Sequence, residues 1–323
     1  MKKLFFTLIS LLGFHQIQAQ QEAMYSQYMF NPMAINPAQT GKITTPEINV
    51  IYRKQWLGAD FEGDPQVQSV IGVLPMKNEK MSLGFQLFND IAGVLKSTGG
   101  MLNYAYKVQL NNNNTSLSMG IQAGATNFRA CLTCVNTSAS NDPNFSQNTN
   151  KFLPNVGAGV YLSNQRFYLG LSVPQFIPND LSLTETSNSA NQNKQIRYYF
   201  GEIGYRARLN RHISIEPSTL VKMIENAPPT FDFNLKFELL EKLTLGTSYR
   251  TSNQQFREAS RNVRLGDLLV GFLQVQASPK IQFGYAYNAP TGMQGQIGSH
   301  EIMLKYRFTK ASDDSIIIDP RNL

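Results

Sequence analysis

Residues 231–239 read Phe-Asp-Phe-Asn-Leu-Lys-Phe-Glu-Leu. Phe231, Phe233, Leu235, Phe237 and Leu239 alternate with Asp232, Asn234, Lys236 and Glu238. Successive side chains of an extended strand point to opposite faces, so one face here is wholly apolar and the other wholly polar. Near the end of the chain the pattern returns. Ile302, Leu304, Tyr306 and Phe308 alternate with Glu301, Met303, Lys305 and Arg307. Elsewhere the second set is small rather than charged: Leu117, Met119, Ile121 and Ala123 alternate with Ser118, Gly120, Gln122 and Gly124.

About fourteen such segments run along the chain, at 46–56, 65–75, 81–90, 97–109, 115–127, 155–163, 166–174, 196–209, 212–223, 229–240, 243–252, 264–276, 279–288 and 298–308. Most are 9–14 residues long, the length that crosses a bilayer at a tilt rather than the five or so of a soluble sandwich. Connections alternate in length. Those at 76–80, 110–114, 164–165, 210–211, 241–242 and 277–278 are tight, whereas 57–64, 128–154, 175–195, 253–263 and 289–297 are longer, with 91–96 and 224–228 as short exceptions. Short turns at one end and long loops at the other describe an outer-membrane barrel with both chain ends on the periplasmic side. An even strand count closes the sheet, so no unpaired edge meets lipid. Trp56, Tyr106, Tyr198, Tyr249 and Phe308 near strand ends suit interfacial girdles. The fold class is therefore all-β: a transmembrane antiparallel up-and-down β-barrel of about 14 strands.

Composition agrees. Of 323 residues 42% are hydrophobic and only 16% charged, against about a quarter charged in soluble domains. After residue 19 no apolar run is long enough for a membrane helix. Lys2, Lys3, the apolar stretch 4–14 (LFFTLISLLGF) and the small Ala19 read as a Sec signal peptide, residues 1–19. The net charge of +7 is modest and scattered, which argues against nucleic acid as a partner.

Little here points to reaction chemistry, so an enzyme is not expected. His212 and His300 lie far apart, and no Gly-x-Ser-x-Gly elbow, phosphate-cradling loop or His-Glu-x-x-His motif occurs. No cofactor or metal is expected; Asp60, Glu62, Asp64 and Asp90 read as solvated loop carboxylates. His300 and Glu301 suggest a buried hydrogen-bonded pair. Cys131 and Cys134, the only cysteines, fit a small disulfide pinning a loop, with a free thiol pair as the other reading.

Two segments fall outside the strands. Residues 20–44 form an N-terminal periplasmic or plug segment, containing two Asn-Pro turns and an uncharged aromatic run. Free in water it would expose apolar surface, so it packs into the lumen or onto a partner. Tyr28, Phe30, Asn31, Pro32, Asn36 and Pro37 are the candidate plug or partner-binding residues. Residues 45–308 form the barrel. The tail 309–323 carries Ile316-Ile317-Ile318 between acids, and is either a frayed end or an added strand for a partner.

Taken together, Tyr25-Ser26-Gln27-Tyr28-Met29-Phe30-Asn31-Pro32, Asn36-Pro37-Ala38 and Arg53-Lys54-Gln55-Trp56 resemble the PorP/SprF family of Bacteroidetes membrane proteins. Pro65-Gln66-Val67-Gln68-Ser69, Asn89-Asp90-Ile91-Ala92-Gly93 and Ser299-His300-Glu301 extend the resemblance over the mature chain. Asn288, where Asp is usual, and Gln39, where an aromatic is usual, depart from it. The resemblance implies an outer-membrane component of the type IX secretion system. Implied partners are secretion-system subunits, periplasmic envelope proteins and an exported surface protein, such as a large adhesin used in gliding motility. Outer-membrane lipid would surround the barrel. A diffusion channel or small-solute transporter is the alternative, with Lys236, Lys305 and Arg307 facing inward.

Overall fold

A computed structural model describes residues 28, 32–55, 63–76, 80–111, 115–135, 145, 147–182, 194–224, 227–252, 268–290 and 298–308. Residues 1–19, read above as a signal peptide, and the tail 309–323 lie outside these residues. The strands are β1 (Glu47–Gln55), β2 (Gln66–Pro75), β3 (Met81–Ala92), β4 (Leu95–Asn111), β5 (Thr115–Ala130), β6 (Thr149–Ser163), β7 (Phe167–Val173) and β8 (Tyr198–Tyr205). There follow β9 (Ala207–Arg208), β10 (Ile213–Ile224), β11 (Ala227–Leu239), β12 (Leu243–Ser252), β13 (Leu268–Gln276), β14 (Ile281–Pro290) and β15 (Ser299–Arg307).

Neighbours in sequence are neighbours in space, and β1 pairs antiparallel with β15, from Glu47 opposite Arg307 to Gln55 opposite Ser299. That pairing closes the sheet. β8 and β9 are one stave: Gly204 pairs with Ser218 and Ala207 with Ile215, the same offset against β10. The barrel therefore has fourteen staves.

Its faces are inverted relative to a soluble protein. Leu102 is 70% exposed and Ile121 60%, with Val156, Leu171, Ile203, Phe233, Phe283 and Ile302 also outside. Alternate positions, Asn49, Asn103, Gln122, Asn155, Asp232, Gln274 and Glu301, are buried inside. The stretch 231–239 obeys this directly, since Phe233 and Phe237 face outward while Asp232 and Asn234 face the lumen. Lipid is the solvent that makes an apolar outer wall favourable.

Three differences from the sequence reading have local causes. β6 begins at Thr149, not 155, because residues 149–154 pair with 125–130 of β5. Pro154 is tolerated there because its nitrogen shares the side on which the Val156 carbonyl accepts from Phe176 N (2.8 Å), away from β5. Tyr198 does not join a girdle; it is buried in the lumen, stacked on Phe200 with the Lys222 ammonium 4.3 Å from its ring centre. His300 and Glu301 do not pair. Being adjacent on one strand they face opposite ways. His300 Nδ1 lies 2.7 Å from Tyr285 Oη on the outer wall, and Glu301 is fully buried within. Trp56 lies outside the described residues.

Candidate functional site

The distinguishing feature of the lumen is the chain's own N-terminal segment, which crosses it. Pro32 opens the 3-10 turn Pro32–Ala34, and Pro37 opens the second, Pro37–Lys42. Proline suits a first helical position, where its missing N–H loses no bond. Asn36 caps the second turn, its Oδ1 accepting from Ala38 N at 3.0 Å. Pro32 and Pro37 thus each open a tight turn, in a stretch whose one charged residue is Lys42.

The segment is fastened to two different parts of the wall. Met33 packs with Ile51, Val67, Ile71, Val73 and Met303 from β1, β2 and β15. Tyr28 and Ile35 pack with Tyr198, Phe200 and Leu220 from β8 and β10. Polar bonds add direction. Asn36 Nδ2 donates to Val160 O (3.1 Å), Ser118 Oγ to Ala38 O (2.6 Å), Ser172 Oγ to Ile35 O (2.6 Å) and Asn234 Nδ2 to Tyr28 Oη (2.8 Å). Gln39 Nε2 donates to Glu202 Oε1.

Glycines of the wall make room for these contacts. A Cβ at Gly120 would stand 2.3 Å from Ala38 N, and one at Gly159 would stand 2.2 Å from Asn36 Oδ1. At Gly84 it would stand 2.5 Å from Met33 Sδ. Any larger residue would occupy the space the segment fills.

Charges inside the barrel are paired in clusters. Toward the end with short turns, Glu216 bonds Arg206 (2.7 Å) and Lys236 (3.0 Å), and Glu47 bonds Lys305 (3.3 Å) and Arg307 (3.6 Å). Below Tyr28, Arg250 holds Asp232 through two bonds of 2.7 Å. The inward cations Lys236, Lys305 and Arg307 are thus engaged by carboxylates of the wall.

Of the residues singled out from the sequence, Tyr28, Pro32, Asn36 and Pro37 lie together in the lumen. Phe30 and Asn31 fall outside the described residues, as do Asp60 and Glu62. Asp64 pairs with Lys54 at 3.5 Å. Cys131 and Cys134 are joined by a disulfide at the tip of β5, where Cys131 N also donates to Val94 O (3.0 Å). On the loop side, the Lys151 hydrogen bond holds the Asp180 carboxyl below the usual carboxylate range. The sequence reading missed Glu202, Ser118, Ser172 and the glycine seats. Part of that signal was present in Ser118 and Gly120 of the small inward set, which leave room at the wall for Ala38.

A family model described as the type IX secretion system membrane protein PorP/SprF matches residues 17–306. The chain belongs to the PorP/SprF family. No curated protein is similar enough to match. Among solved structures this PorP/SprF barrel is similar to the CymD monoaromatic hydrocarbon channel, with a TM-score of 0.52 and 11% identity over 87% of this chain and 93% of that one. It is also similar to a Pseudomonas aeruginosa FadL homologue (0.48, 12%, 85% and 93%) and to outer membrane protein Omp33 of Acinetobacter baumannii (0.46, 10%, 82% and 99%). At such identities the likeness is one of fold alone: an outer-membrane barrel.

Proposed function

We propose that this PorP/SprF protein serves type IX secretion as an occluded barrel acting through protein–protein contacts, supporting the secretion or surface anchoring of exported proteins such as large gliding adhesins. The observation that carries this reading is the segment 32–42, seated across the lumen on glycines and bound to β5, β6, β7 and β8. A lumen filled by the chain's own segment suits a scaffold better than an open diffusion pore. Its periplasmic end would meet secretion-system subunits and envelope proteins, and its outer loops an exported chain. The family's membership in type IX secretion supports that choice of partners.

The test has two arms. Tagged protein is purified from detergent-solubilised outer membranes and its companions are identified by mass; secretion subunits or an exported surface protein are expected. The same preparation in a planar bilayer is expected to be electrically silent. Recovery of the barrel alone together with steady conductance would replace this reading with a diffusion channel. Replacing Tyr28 and Phe30 together with Ser is expected to leave the barrel assembled and to impair secretion or attachment.

A further inference from the structure

The short turns repeat one pattern. Lys80, Arg166, Arg208, Lys242 and Lys280 each adjoin the last outward residue of a strand, respectively Met81, Phe167, Ala207, Leu243 and Ile281. Each cation is still in register with the sheet. Lys107 N donates to Lys80 O (2.6 Å), Arg206 N to Arg166 O (2.6 Å), Gln276 N to Lys242 O (2.7 Å) and Arg307 N to Lys280 O (2.8 Å), while Arg208 lies opposite Ser214. Side chains alternate along a strand and direct cross-strand neighbours share a face. The cations therefore turn to the lumen side of the rim, away from lipid. Lys80, Arg166, Arg208 and Lys242 are exposed there and Lys280 is half-buried.

Among the described residues of these turns the one carboxylate is Glu241. Glu238 is inward in the row of Arg208 and accepts from Ser214 at 3.5 Å. Lys77 and Glu79, outside the described residues, cancel in the sequence. This end of the barrel thus presents a positive ring to water. Behind it the last plug residue, Lys42, shares a small cavity with Arg166, so the ring is the floor of an occupied lumen. Fourteen staves about 4.8 Å apart and tilted about 40° form a mouth about 14 Å in radius, a face of about 600 Å² before side chains extend it. A specific interface takes about 800 Å² from each partner.

We propose that this mouth is the docking face for an acidic periplasmic protein, which caps the barrel end-on with carboxylates set against the ring. Lipid headgroups fit it less well, because the cations face the barrel axis and not the bilayer. Single exposed ion pairs contribute little, but an array of one sign steers a partner and fixes its orientation. The inference rests on the reading that the barrel acts through periplasmic contacts, and adds the partner's chemistry and the face it takes. The tail 309–323 follows Phe308 at this same end and carries Asp313, Asp314 and Asp319 against Lys310 and Arg321. It is the competing occupant.

Fluorescence anisotropy tests it, with labelled poly-L-glutamate as the probe and the intact protein in nanodiscs of zwitterionic lipid, which leave both ends open. Saturable binding is expected, weakening as NaCl is raised from about 50 to 300 mM. Lys80→Gln, Arg166→Gln and Lys242→Gln combined are expected to weaken it about tenfold. Lys96→Gln with Arg129→Gln, exposed at the loop end, is expected to change it by less than about twofold. Heat-modifiable migration on gels checks that each variant has assembled, and Arg208→Gln with Lys280→Gln substitutes if the triple variant has not. On purification from membranes, the triple variant is expected to lose the periplasmic companions that the parent keeps. Companions kept in full by the triple variant overturn this inference and leave the reading of the barrel standing; a parent recovered alone overturns both. Equal probe binding by parent and triple variant overturns it as well. So does binding that phosphatidylglycerol in the nanodisc abolishes, which assigns the ring to lipid, or binding that appears only when residues 309–323 are removed, which assigns it to the tail.

Discussion

Ala38 of the plug lies so close to Gly120 of β5 that a Cβ at position 120 would stand 2.3 Å from the Ala38 nitrogen. That distance is well inside van der Waals contact, so wall and plug compete for one volume. Gly120→Leu is therefore expected to unseat the segment while the hydrogen-bonded staves remain paired. Single-channel recording is expected to show conductance in the variant and silence in the parent. Gly271→Leu, where a Cβ meets nothing within 4 Å, is the matched control and is expected to stay silent.

Asp232 and Arg250 form a two-bond ion pair inside the barrel, beside Tyr28 and Asn234. Asp232→Ala leaves the Arg250 guanidinium buried without its partner, at a cost of about 3–5 kcal/mol. Replacing both by Leu removes the stranded charge and is expected to recover most of that loss. Urea titration of the protein folded into lipid vesicles measures both, and equal destabilisation by the single and double variants would contradict the pairing argument.

Lys42 titrates in the plug, with its amine pushed down from 10.5 to about 8 by burial and by Arg206. A lysine whose folded value is depressed binds fewer protons when docked than when free. Stability consequently rises with pH across the window from about 8 to 10.5, as the cost of keeping the ammonium buried disappears. Compared with Lys42→Met, the parent is expected to gain stability over this window and to show no relative slope below it.

The disulfide between Cys131 and Cys134 closes a loop of two intervening residues beyond the last residue of β5. In the chain-entropy view so short a loop contributes no more than about 2 kcal/mol, and only to the hairpin tip. Replacing both cysteines by Ser is expected to leave barrel unfolding in urea within about 0.5 kcal/mol of the parent, as for surface changes remote from the core. Limited proteolysis is expected to cut the tip sooner. Alkylation before and after reduction, read by mass, gives the redox state directly.

The strands were legible because a barrel in lipid imposes period two on every stave. Segment 231–239 predicts its own two faces, and the structure places Phe233 outside and Asp232 inside as that pattern requires. The N-terminal segment was legible only as something that needs covering: an uncharged aromatic run with two Asn-Pro turns. Which wall each turn meets depends on residues more than a hundred positions away, such as Val160 for Asn36 and Asn234 for Tyr28. No local pattern carries that information.

Alternation, turn length and strand length, all local quantities, were thus enough to determine from the sequence alone an even, closed, lipid-facing barrel with its short turns at one end. The register that lets β1 meet β15, the inward turn of Tyr198, the separation of His300 from Glu301 and the seating of Ala38 on Gly120 were decided only by the tertiary structure. The physical reason is that closing the sheet brings distant strands around one lumen. Steric fit and charge pairing across that lumen are properties of the closed ring, not of any stave.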